Sequence, residues 1–238
     1  MTELDSFNDK LLEGTSRSFY LTLKRLPKSV KGQIGLLYLL ARISDTIADS
    51  GESGGEDLLE LLEDYNNRAQ GHSNSMPDFS NLSDVQENPA EGLLLRGAHG
   101  PIELLEEASV VDQELIRRCL DIIISGQRMD LERFRDKDGS GIRSLSRYEE
   151  MDDYAYRVAG SVGEFWTEIC LEHAFEASAE LKEELMSSGV RFGKALQLIN
   201  ILRDIPEDLE IGRCYIPTDD LEKIGLSPND LLLSLIHI

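Results

Sequence analysis

The sequence predicts a helical protein, and two observations carry that prediction. Apolar residues recur at the three- and four-residue spacings of an α-helix through most of the chain. Two of these segments, residues 31–50 and 193–209, are apolar around most of the helix and keep their polar residues in one narrow row. No linker or internal repeat divides the 238 residues, which suffice for a sizeable core. We therefore expect residues 1–238 to form a single domain.

The charge composition argues against some classes of function. Lysine and arginine number 24 against 45 aspartate and glutamate residues, a formal net charge of −21. This balance argues against a nucleic-acid-binding protein, whose contact surface is basic, and against broad attraction to anionic lipid. The N-terminus is unlike a signal peptide, and no apolar run is long enough to span a bilayer. We expect a cytoplasmic protein, with contact to a membrane surface left open as an alternative.

A positive segment lies near the N-terminus of this acidic chain. Residues 14–44 contain no acidic residue, although nearly one residue in five of the chain is acidic. The cations of this segment are Arg17, Lys24, Arg25, Lys28, Lys31 and Arg42. Because arginine and lysine side chains bind phosphate groups well, the segment is a candidate site for a diphosphate. A solvated basic face is the alternative.

Residues 31–50 predict the first long helix. Ile34, Tyr38, Ala41, Asp45 and Asp49 follow one another at steps of four, three, four and four residues, so they share one face. That face is apolar at its start and carries two carboxylates at its end, one turn apart. Like charges at this spacing repel each other, which indicates that a cation compensates them.

The middle of the chain predicts further helices joined by polar loops. Helices are expected over residues 56–70, 101–110, 112–135 and 148–172, with one short helix over residues 91–96. Residues 136–146 are rich in glycine, serine and charged residues and are expected to form a mobile lid. In the last of these helices, Gly160 and Gly163 are unfavourable residues, which indicates close helix packing or space for a bulky ligand.

Residues 193–209 predict one continuous helix with the same arrangement as the first. Apolar residues cover most of its circumference; they are Leu196, Leu198, Ile199, Ile201, Leu202 and Ile205. The remaining row consists of Gln197, Asn200, Asp204 and Asp208, at steps of three, four and four residues. Such a row on an apolar helix indicates the wall of a polar cavity. The alternative is that the row faces solvent, which is the more frequent arrangement for polar residues on one side of a helix.

The two aspartate pairs together predict a metal site. Magnesium takes oxygen ligands, keeps several waters, and is commonly held by one or two carboxylates together with substrate phosphates. We therefore expect Mg²⁺ between the helix of Asp45 and Asp49 and the helix of Asp204 and Asp208. A di-iron helical bundle is disfavoured, because none of the four histidines follows a glutamate at the required spacing of three residues.

Four motifs in order resemble the squalene/phytoene synthase family of head-to-head prenyl transferases. They are SRSFYLTLKRLP from Ser16, ARISDTIAD from Ala41, YAYRVAGSVGEF from Tyr154 and LQLINILRDIPEDLEIGRCYIP from Leu196. The last string is highly specific, and a chance match of four motifs in the same order is improbable. The string GQRMDLERF, residues 126–134, also resembles the family's segment before its mobile loop.

The resemblance implies an all-α, single-domain bundle of the isoprenoid-synthase type around a central cavity, in a chain that stops before the family's last helices. It implies magnesium held by Asp45, Asp49, Asn200, Asp204 and Asp208, the four aspartates being catalytic. It implies substrate-binding roles for Ser16, Arg17, Ser18, Arg42, Gln197, Asn200, Arg203, Arg213 and Tyr215. Tyr154 matches a family tyrosine near the reacting carbons and is a further catalytic candidate; a buried structural tyrosine is the alternative.

The implied reaction condenses two small-molecule prenyl diphosphates head to head, with magnesium-assisted loss of diphosphate. The D-T-x-x-D form of the Asp45–Asp49 pair favours farnesyl diphosphate, converted by way of presqualene diphosphate to squalene with NADPH. Phytoene or dehydrosqualene, made without NADPH, is the alternative product. NADPH use rests on the resemblance alone, because the chain has no G-x-G-x-x-G fingerprint. A catalytically inactive scaffold or assembly partner is the alternative from another class.

Overall fold

The computed structural model describes residues 11–16, 18–50, 57–134 and 141–236, apart from the side chains of Ser18 and residues 234–236. After a helical segment at 11–16, the helices are α1 (Ser18–Arg25), α2 (Lys28–Asp49), α3 (Leu58–Gln70), α4 (Ser80–Asp84), α5 (Pro89–Arg96), α6 (His99–Glu107), α7 (Val110–Phe134), α8 (Tyr148–Ala155), α9 (Ser161–His173), α10 (Ala179–Arg203), α11 (Ile205–Glu210), α12 (Thr218–Lys223) and α13 (Pro228–Ile236). A π-helical turn spans Tyr156–Gly160, and the strands are β1 (Arg143–Ser144) and β2 (Arg213–Cys214). The all-α fold class is confirmed.

Helix α2 is the centre of the largest hydrophobic core. Its residues Leu39, Leu40, Ile43 and Ile47 are at most 1% exposed, and the helix packs against α3, α5, α6, α7 and α9. A helix that is apolar on several sides is one that other elements enclose. The predicted helix over residues 31–50 is thus confirmed, and it begins three residues earlier, directly after Pro27.

Glycines bring the backbone of α10 against α9 and the π-helical turn. A Cβ atom on Gly163 would lie 2.0 Å from the backbone oxygen of Gly189, and one on Gly193 would lie 2.1 Å from the oxygen of Ala159. No side chain fits at these distances, so the close approach requires glycine. The steric role predicted for Gly163 is confirmed.

Two of the predicted helices are interrupted. The segment over residues 148–172 is divided into α8 and α9 by the π-helical turn. The prediction of one helix to Leu209 is also wrong, because α10 ends at Arg203 and α11 begins at Ile205; Asp204 between them has φ −96° and ψ 10°. Pro206 accounts for this break, since proline has no N–H to donate to the preceding turn and its ring crowds the carbonyl four residues before it.

Much of the apolar surface of α10 is exposed. Leu196 is 47% exposed, Ile199 59% and Leu202 63%, whereas Ile201 is 4% exposed. Among the described residues, α10 packs mainly on α8, the π-helical turn and α9, which lie on one side of it. The apolar pattern around this helix therefore did not predict burial on all sides.

A short parallel strand pair joins two distant segments. Arg143 pairs with Arg213, and Ser144 pairs with Cys214. Leu145, which follows β1, is fully buried and packs in a second cluster with Phe134, Tyr154, Ile201 and Tyr215. Residues 136–140 of the predicted lid lie outside the described residues, and residues 143–144 form a strand rather than part of a free loop. The C-terminal part of the predicted lid is thereby fixed to the chain after the second aspartate pair.

The C-terminal part of the structure agrees with the local sequence signals. Helix α12 begins at Thr218, directly after Pro217, and α13 begins at Pro228, where the hydroxyl of Ser227 accepts a hydrogen bond from the backbone N–H of Asp230. The three cysteines are free thiols. Across the described ranges, each helix is either too short or too polar to cross a bilayer.

Candidate active site

The first aspartate pair lies at the C-terminal end of α2. The Nε2 atom of Gln127, on α7, donates a hydrogen bond to Oδ1 of Asp45. The side chain of Asp45 keeps 43% of its accessible surface, so the carboxylate occupies a recess that is crowded with protein atoms yet open to a ligand. Burial and the neighbouring Asp49 raise the pKa of Asp45 to about 6, and burial also raises the pKa of Asp49. The protein alone therefore leaves negative charge on this pair poorly compensated.

The two members of the second pair have different surroundings. Burial, reinforced by the charge of Asp204, raises the pKa of Asp208 to about 6. Asp204, at the break between α10 and α11, accepts hydrogen bonds from Nε and Nη2 of Arg203 at 2.6 and 2.7 Å. This contact lowers the pKa of Asp204. Arg203, predicted to bind substrate, is thus held in an exposed ion pair.

Arg213 interacts with both aspartate pairs. Its guanidinium opposes the effect of burial on the pKa of Asp49, from α2, and of Asp208, from α11. The same group acts on Asp130, and its Cζ atom lies 5.9 Å from the ring centroid of Phe134. The strand pair β1–β2 fixes the position of this arginine. The structure therefore places one carboxylate of each predicted pair within electrostatic range of a single cation.

The carboxylates fit magnesium that is held jointly with substrate and water. Across the described ranges, no three histidine, cysteine, aspartate or glutamate side chains are close enough to hold a metal ion by themselves. Each pair offers carboxylate oxygens one turn apart. Burial raises the pKa of Asp45 and Asp208, and the cations of the described residues do not fully offset this effect. A few carboxylates completed by phosphate and water are the usual ligand set of Mg²⁺.

Two stacked tyrosines share a buried carboxylate beside this region. The rings of Tyr154 and Tyr215 lie 4.8 Å apart at an angle of 20°. The hydroxyl of Tyr215 donates to Oδ2 of Asp130 at 2.5 Å, and the hydroxyl of Tyr154 also hydrogen-bonds to Asp130. Burial raises the pKa of Asp130 to about 6 and the pKa values of both tyrosines. The tyrosines are therefore neutral donors that Asp130 orients.

A largely apolar cavity of about 730 Å³ lies between α1, the π-helical turn, α9 and α10. Phe19, Trp166 and Phe192 are part of its apolar wall, and Gln197 and Asn200 add polar groups to it. The Nδ2 atom of Asn200 lies 3.4 Å from Oε1 of Gln197, within hydrogen-bonding distance. The cavity suits a long apolar chain whose polar end lies near the Asn200 end of α10.

The N-terminal candidates contribute less to the described site. Arg17 lies outside the described residues, as does the side chain of Ser18. Ser16 is buried, and its hydroxyl donates to the carbonyl of Leu12. Arg42 contacts Glu91, on α5, through Nη2. Diphosphate binding by Ser16, Arg17, Ser18 and Arg42 stays a prediction.

Glu91 has no functional role in the sequence analysis, and Gln127 and Asp130 enter it only through the resemblance of residues 126–134 to the family's segment before its mobile loop. Gln127 and Asp130 are one turn apart near the end of the apolar helix α7, the same pattern that singles out the aspartate helices. That spacing could have identified them. Glu91 lies in a region of short helices and loops, and its pairing with Arg42 across 49 residues has no local signal.

Comparison with known proteins identifies related sequences. The family model described as Squalene/phytoene synthase matches residues 12–236. A bifunctional lycopene cyclase/phytoene synthase of Gibberella fujikuroi is 30% identical over 227 residues, which cover 93% of this chain and 37% of that protein. A 15-cis-phytoene synthase of Synechocystis sp. is 30% identical over 221 residues, covering 91% of this chain and 56% of that protein. The chain thus spans about a third to a half of the length of these curated relatives.

Solved structures share the fold. A ligand complex of TcSQS superposes with a TM-score of 0.74 at 22% identity, covering 95% of this chain and 61% of that one. The squalene synthase HpnC from Alicyclobacillus acidocaldarius gives a TM-score of 0.61 at 20% identity, covering 97% of this chain and 73% of that one. Nearly all of this chain has a structural counterpart in longer proteins.

Proposed function

Because the chain belongs to the squalene/phytoene synthase family, we propose that it condenses two prenyl diphosphates head to head and releases diphosphate. The observation that carries this proposal is the interaction of Arg213 with one carboxylate of each aspartate pair. Ionisation of a prenyl diphosphate needs oxygen ligands for metal and a cation for phosphate at the same place. The two aspartate pairs and Arg213 supply both requirements.

In this proposal the magnesium ligands are Asp45, Asp49, Asn200, Asp204 and Asp208. Bound magnesium neutralises the charge that develops on the departing diphosphate. The protein contributes orientation: Gln127 holds the Asp45 carboxylate, and Arg213 lies close enough to Asp49 and Asp208 to balance part of their charge.

Cationic and polar side chains bind the rest of the diphosphate. Arg213 is joined in this role by Arg17, Arg42 and Arg203, with Ser16, Ser18, Gln197 and Tyr215 as polar contacts. Arg203 can exchange its partner, because exposed ion pairs such as that with Asp204 contribute little stability. The phosphate oxygens gain charge as the carbon–oxygen bond breaks, so these contacts strengthen toward the transition state.

The apolar cavity binds the prenyl chains along its wall, and the bound chains shield the allylic cation from water. The 2,3 double bond of the second prenyl diphosphate captures this cation. The ring face of Tyr154 can stabilise positive charge on carbon, and the stack with Tyr215 and the contact with Asp130 keep the ring in one orientation. Tyr154 is therefore assigned to cation stabilisation or proton handling.

For the product, the proposal names farnesyl diphosphate as substrate and squalene, formed by way of presqualene diphosphate with NADPH, as product. Its support is the D-T-x-x-D form of the Asp45–Asp49 pair. Phytoene, made from geranylgeranyl diphosphate without NADPH, is the second candidate, and the two relatives of 30% identity named phytoene synthases favour it.

The test is to incubate the chain with Mg²⁺ and either farnesyl or geranylgeranyl diphosphate, with and without NADPH. Diphosphate release is measured, and the product is identified by mass. We expect release that EDTA abolishes, with squalene formed only when NADPH is present. A product of phytoene mass without NADPH would favour the second candidate. No release from this chain, or from a version extended to the length of its relatives, would contradict an enzymatic function and favour a scaffold.

A further inference from the structure

Two buried side-chain atoms in the described part of the chain lack a hydrogen-bond partner, and both belong to residues beside Asp45. They are Oε1 of Gln127 and Nε of Arg42. Gln127 is 8% exposed and donates through Nε2 to Asp45; Nη1 of Arg42 lies 4.0 Å from Asp45 Oδ2. A buried polar atom without a hydrogen-bond partner destabilises the folded protein. Unpartnered atoms on both Gln127 and Arg42, beside the predicted metal ligand Asp45, indicate that a bound group supplies their missing hydrogen bonds.

The orientation of the Gln127 amide follows from its contact. If the amide were rotated by 180°, its oxygen would face Oδ1 of Asp45, and two acceptors would repel each other. The NH₂ group must therefore face the carboxylate, as the structure has it. The oxygen then points away from Asp45, where it can only accept a hydrogen bond.

The two unpartnered atoms need partners of opposite kinds. Oε1 of Gln127 requires a donor, and a water molecule bound to a divalent cation is a strong donor. Nε of Arg42 requires an acceptor, and a phosphate oxygen is one. A hydrated cation together with a diphosphate at Asp45 supplies both.

We propose that Gln127 is a positioning residue of the magnesium site: it orients the Asp45 carboxylate through Nε2 and accepts a hydrogen bond from a magnesium-bound water through Oε1. This inference rests on the proposed function, since it concerns the same metal. Partners of this kind fix ligand orientation, and their loss typically costs about 10–100-fold in metal affinity.

The chain offers a matched control for this contact. Gln33, on α2, donates through Nε2 to Oδ2 of Asp112, on α7, at 3.2 Å. The pair joins the same two helices as Gln127 and Asp45, with the glutamine and aspartate exchanged between them. Gln33→Met therefore removes an equivalent glutamine–aspartate bond away from the predicted metal site.

The experiment is calorimetric titration of Mg²⁺ into the protein with inorganic diphosphate present, combined with thermal melts without metal. Gln127→Met removes both amide functions at similar size and should weaken Mg²⁺ binding by about 10–100-fold. Gln33→Met should bind Mg²⁺ as the unmodified chain does. Gln127→Glu keeps an acceptor, so it should lose less affinity than Gln127→Met. In metal-free melts, neither Gln127 variant should lose more stability than Gln33→Met.

The outcomes separate this inference from the proposed function. If the unmodified chain binds Mg²⁺ and turns over substrate while Gln127→Met binds Mg²⁺ equally well, the role of Gln127 is contradicted and the function stands. Equal losses in Gln127→Met and Gln33→Met would also contradict it, because they indicate helix packing. If the unmodified chain binds no Mg²⁺ in the presence of diphosphate, both fail.

Discussion

Three carboxylates of the site, those of Asp45, Asp130 and Asp208, have their pKa raised from 3.8 to about 6, chiefly by burial. A folded-state pKa above the ordinary value means that the folded protein binds more protons than the unfolded chain between these two pH values. The stability that these groups contribute is therefore present at low pH and is lost as the pH rises through about 6. At neutral pH the charged forms of these buried groups oppose folding, and a cation bound beside them reduces this effect.

Asp130→Asn should separate this electrostatic cost from the role of the residue in the site. Asparagine still accepts a hydrogen bond from Tyr215 but carries no charge, so the free energy of unfolding at pH 7 should rise by on the order of 1–2 kcal/mol. Its decrease between pH 4 and pH 7 should become shallower. Turnover should fall at least tenfold, because the charge that orients the hydroxyls of Tyr154 and Tyr215 is lost. Urea denaturation at several pH values and steady-state rates measure these effects.

A larger stability decrease with pH in Asp130→Asn than in the unmodified chain would contradict the burial argument. Unchanged turnover would mean that Asp130 does not act on the tyrosines during the reaction.

Asp204→Ala should abolish turnover while leaving the melting temperature of the metal-free protein nearly unchanged. The side chain is partly exposed, and in the described part of the chain it forms an ion pair with the exposed Arg203; such pairs contribute little to stability. Glu207→Ala, an exposed acid on α11, is the matched control and should keep turnover within a few-fold. A large loss of metal-free stability in Asp204→Ala would instead indicate a structural role.

The contact of α10 with α9 and the π-helical turn brings backbone against backbone at glycines, and it also borders the cavity. Gly193→Ala places a Cβ atom 2.1 Å from the oxygen of Ala159. We expect the free energy of unfolding to fall by about 2–3 kcal/mol. Gly32→Ala, on α2, meets nothing within 4 Å and should stabilise the protein by up to about 1 kcal/mol through helix propensity. Guanidinium denaturation of both variants measures the difference; equal effects would contradict the packing argument.

Helices enclosed by other elements were predictable from the sequence. Helix α2 is apolar on several sides because it is the centre of the core, and its carboxylates interrupt the pattern only at the end that reaches the site. The same pattern on α10 was misleading. A count of apolar residues around the helix cannot distinguish contact with protein from exposure, as Ile199 and Leu202 show.

Other errors have specific causes. Pro206 is a helix-breaking residue that the sequence shows, and taking it into account would have ended the predicted helix of residues 193–209 before Asp208. The π-helical turn at Tyr156–Gly160 has no comparable sequence signal, although its position beside Tyr154 agrees with the frequent occurrence of such turns at functional sites. Contacts such as Gln127 with Asp45 join residues 82 positions apart, and local patterns do not determine them.

In the molecule as a whole, the site is assembled from segments that are far apart in the chain. The core around α2 supplies Asp45 and Asp49, and α11 supplies Asp208. The strand pair β1–β2 places Arg213 where it interacts with both. Because most of this site is charged and the chain has a net charge of −21, the binding of diphosphate without metal is electrostatically opposed. A metal ion bound without diphosphate takes most of its ligands from water.

Magnesium and inorganic diphosphate together should therefore raise the melting temperature by more than the sum of their separate effects. A ligand at one hundred times its Kd that binds only the folded state stabilises it by about 2.7 kcal/mol, or roughly 5–10 °C for a chain of this size. Asp49→Ala and Asp208→Ala should each abolish this shift, although they lie on different helices, whereas Asp219→Ala, an exposed acid on α12, should retain it. Differential scanning fluorimetry with each ligand alone and with both measures the effect. If each aspartate variant lost only half of the shift, the two pairs would bind metal independently, and Arg213 would not join them into one site.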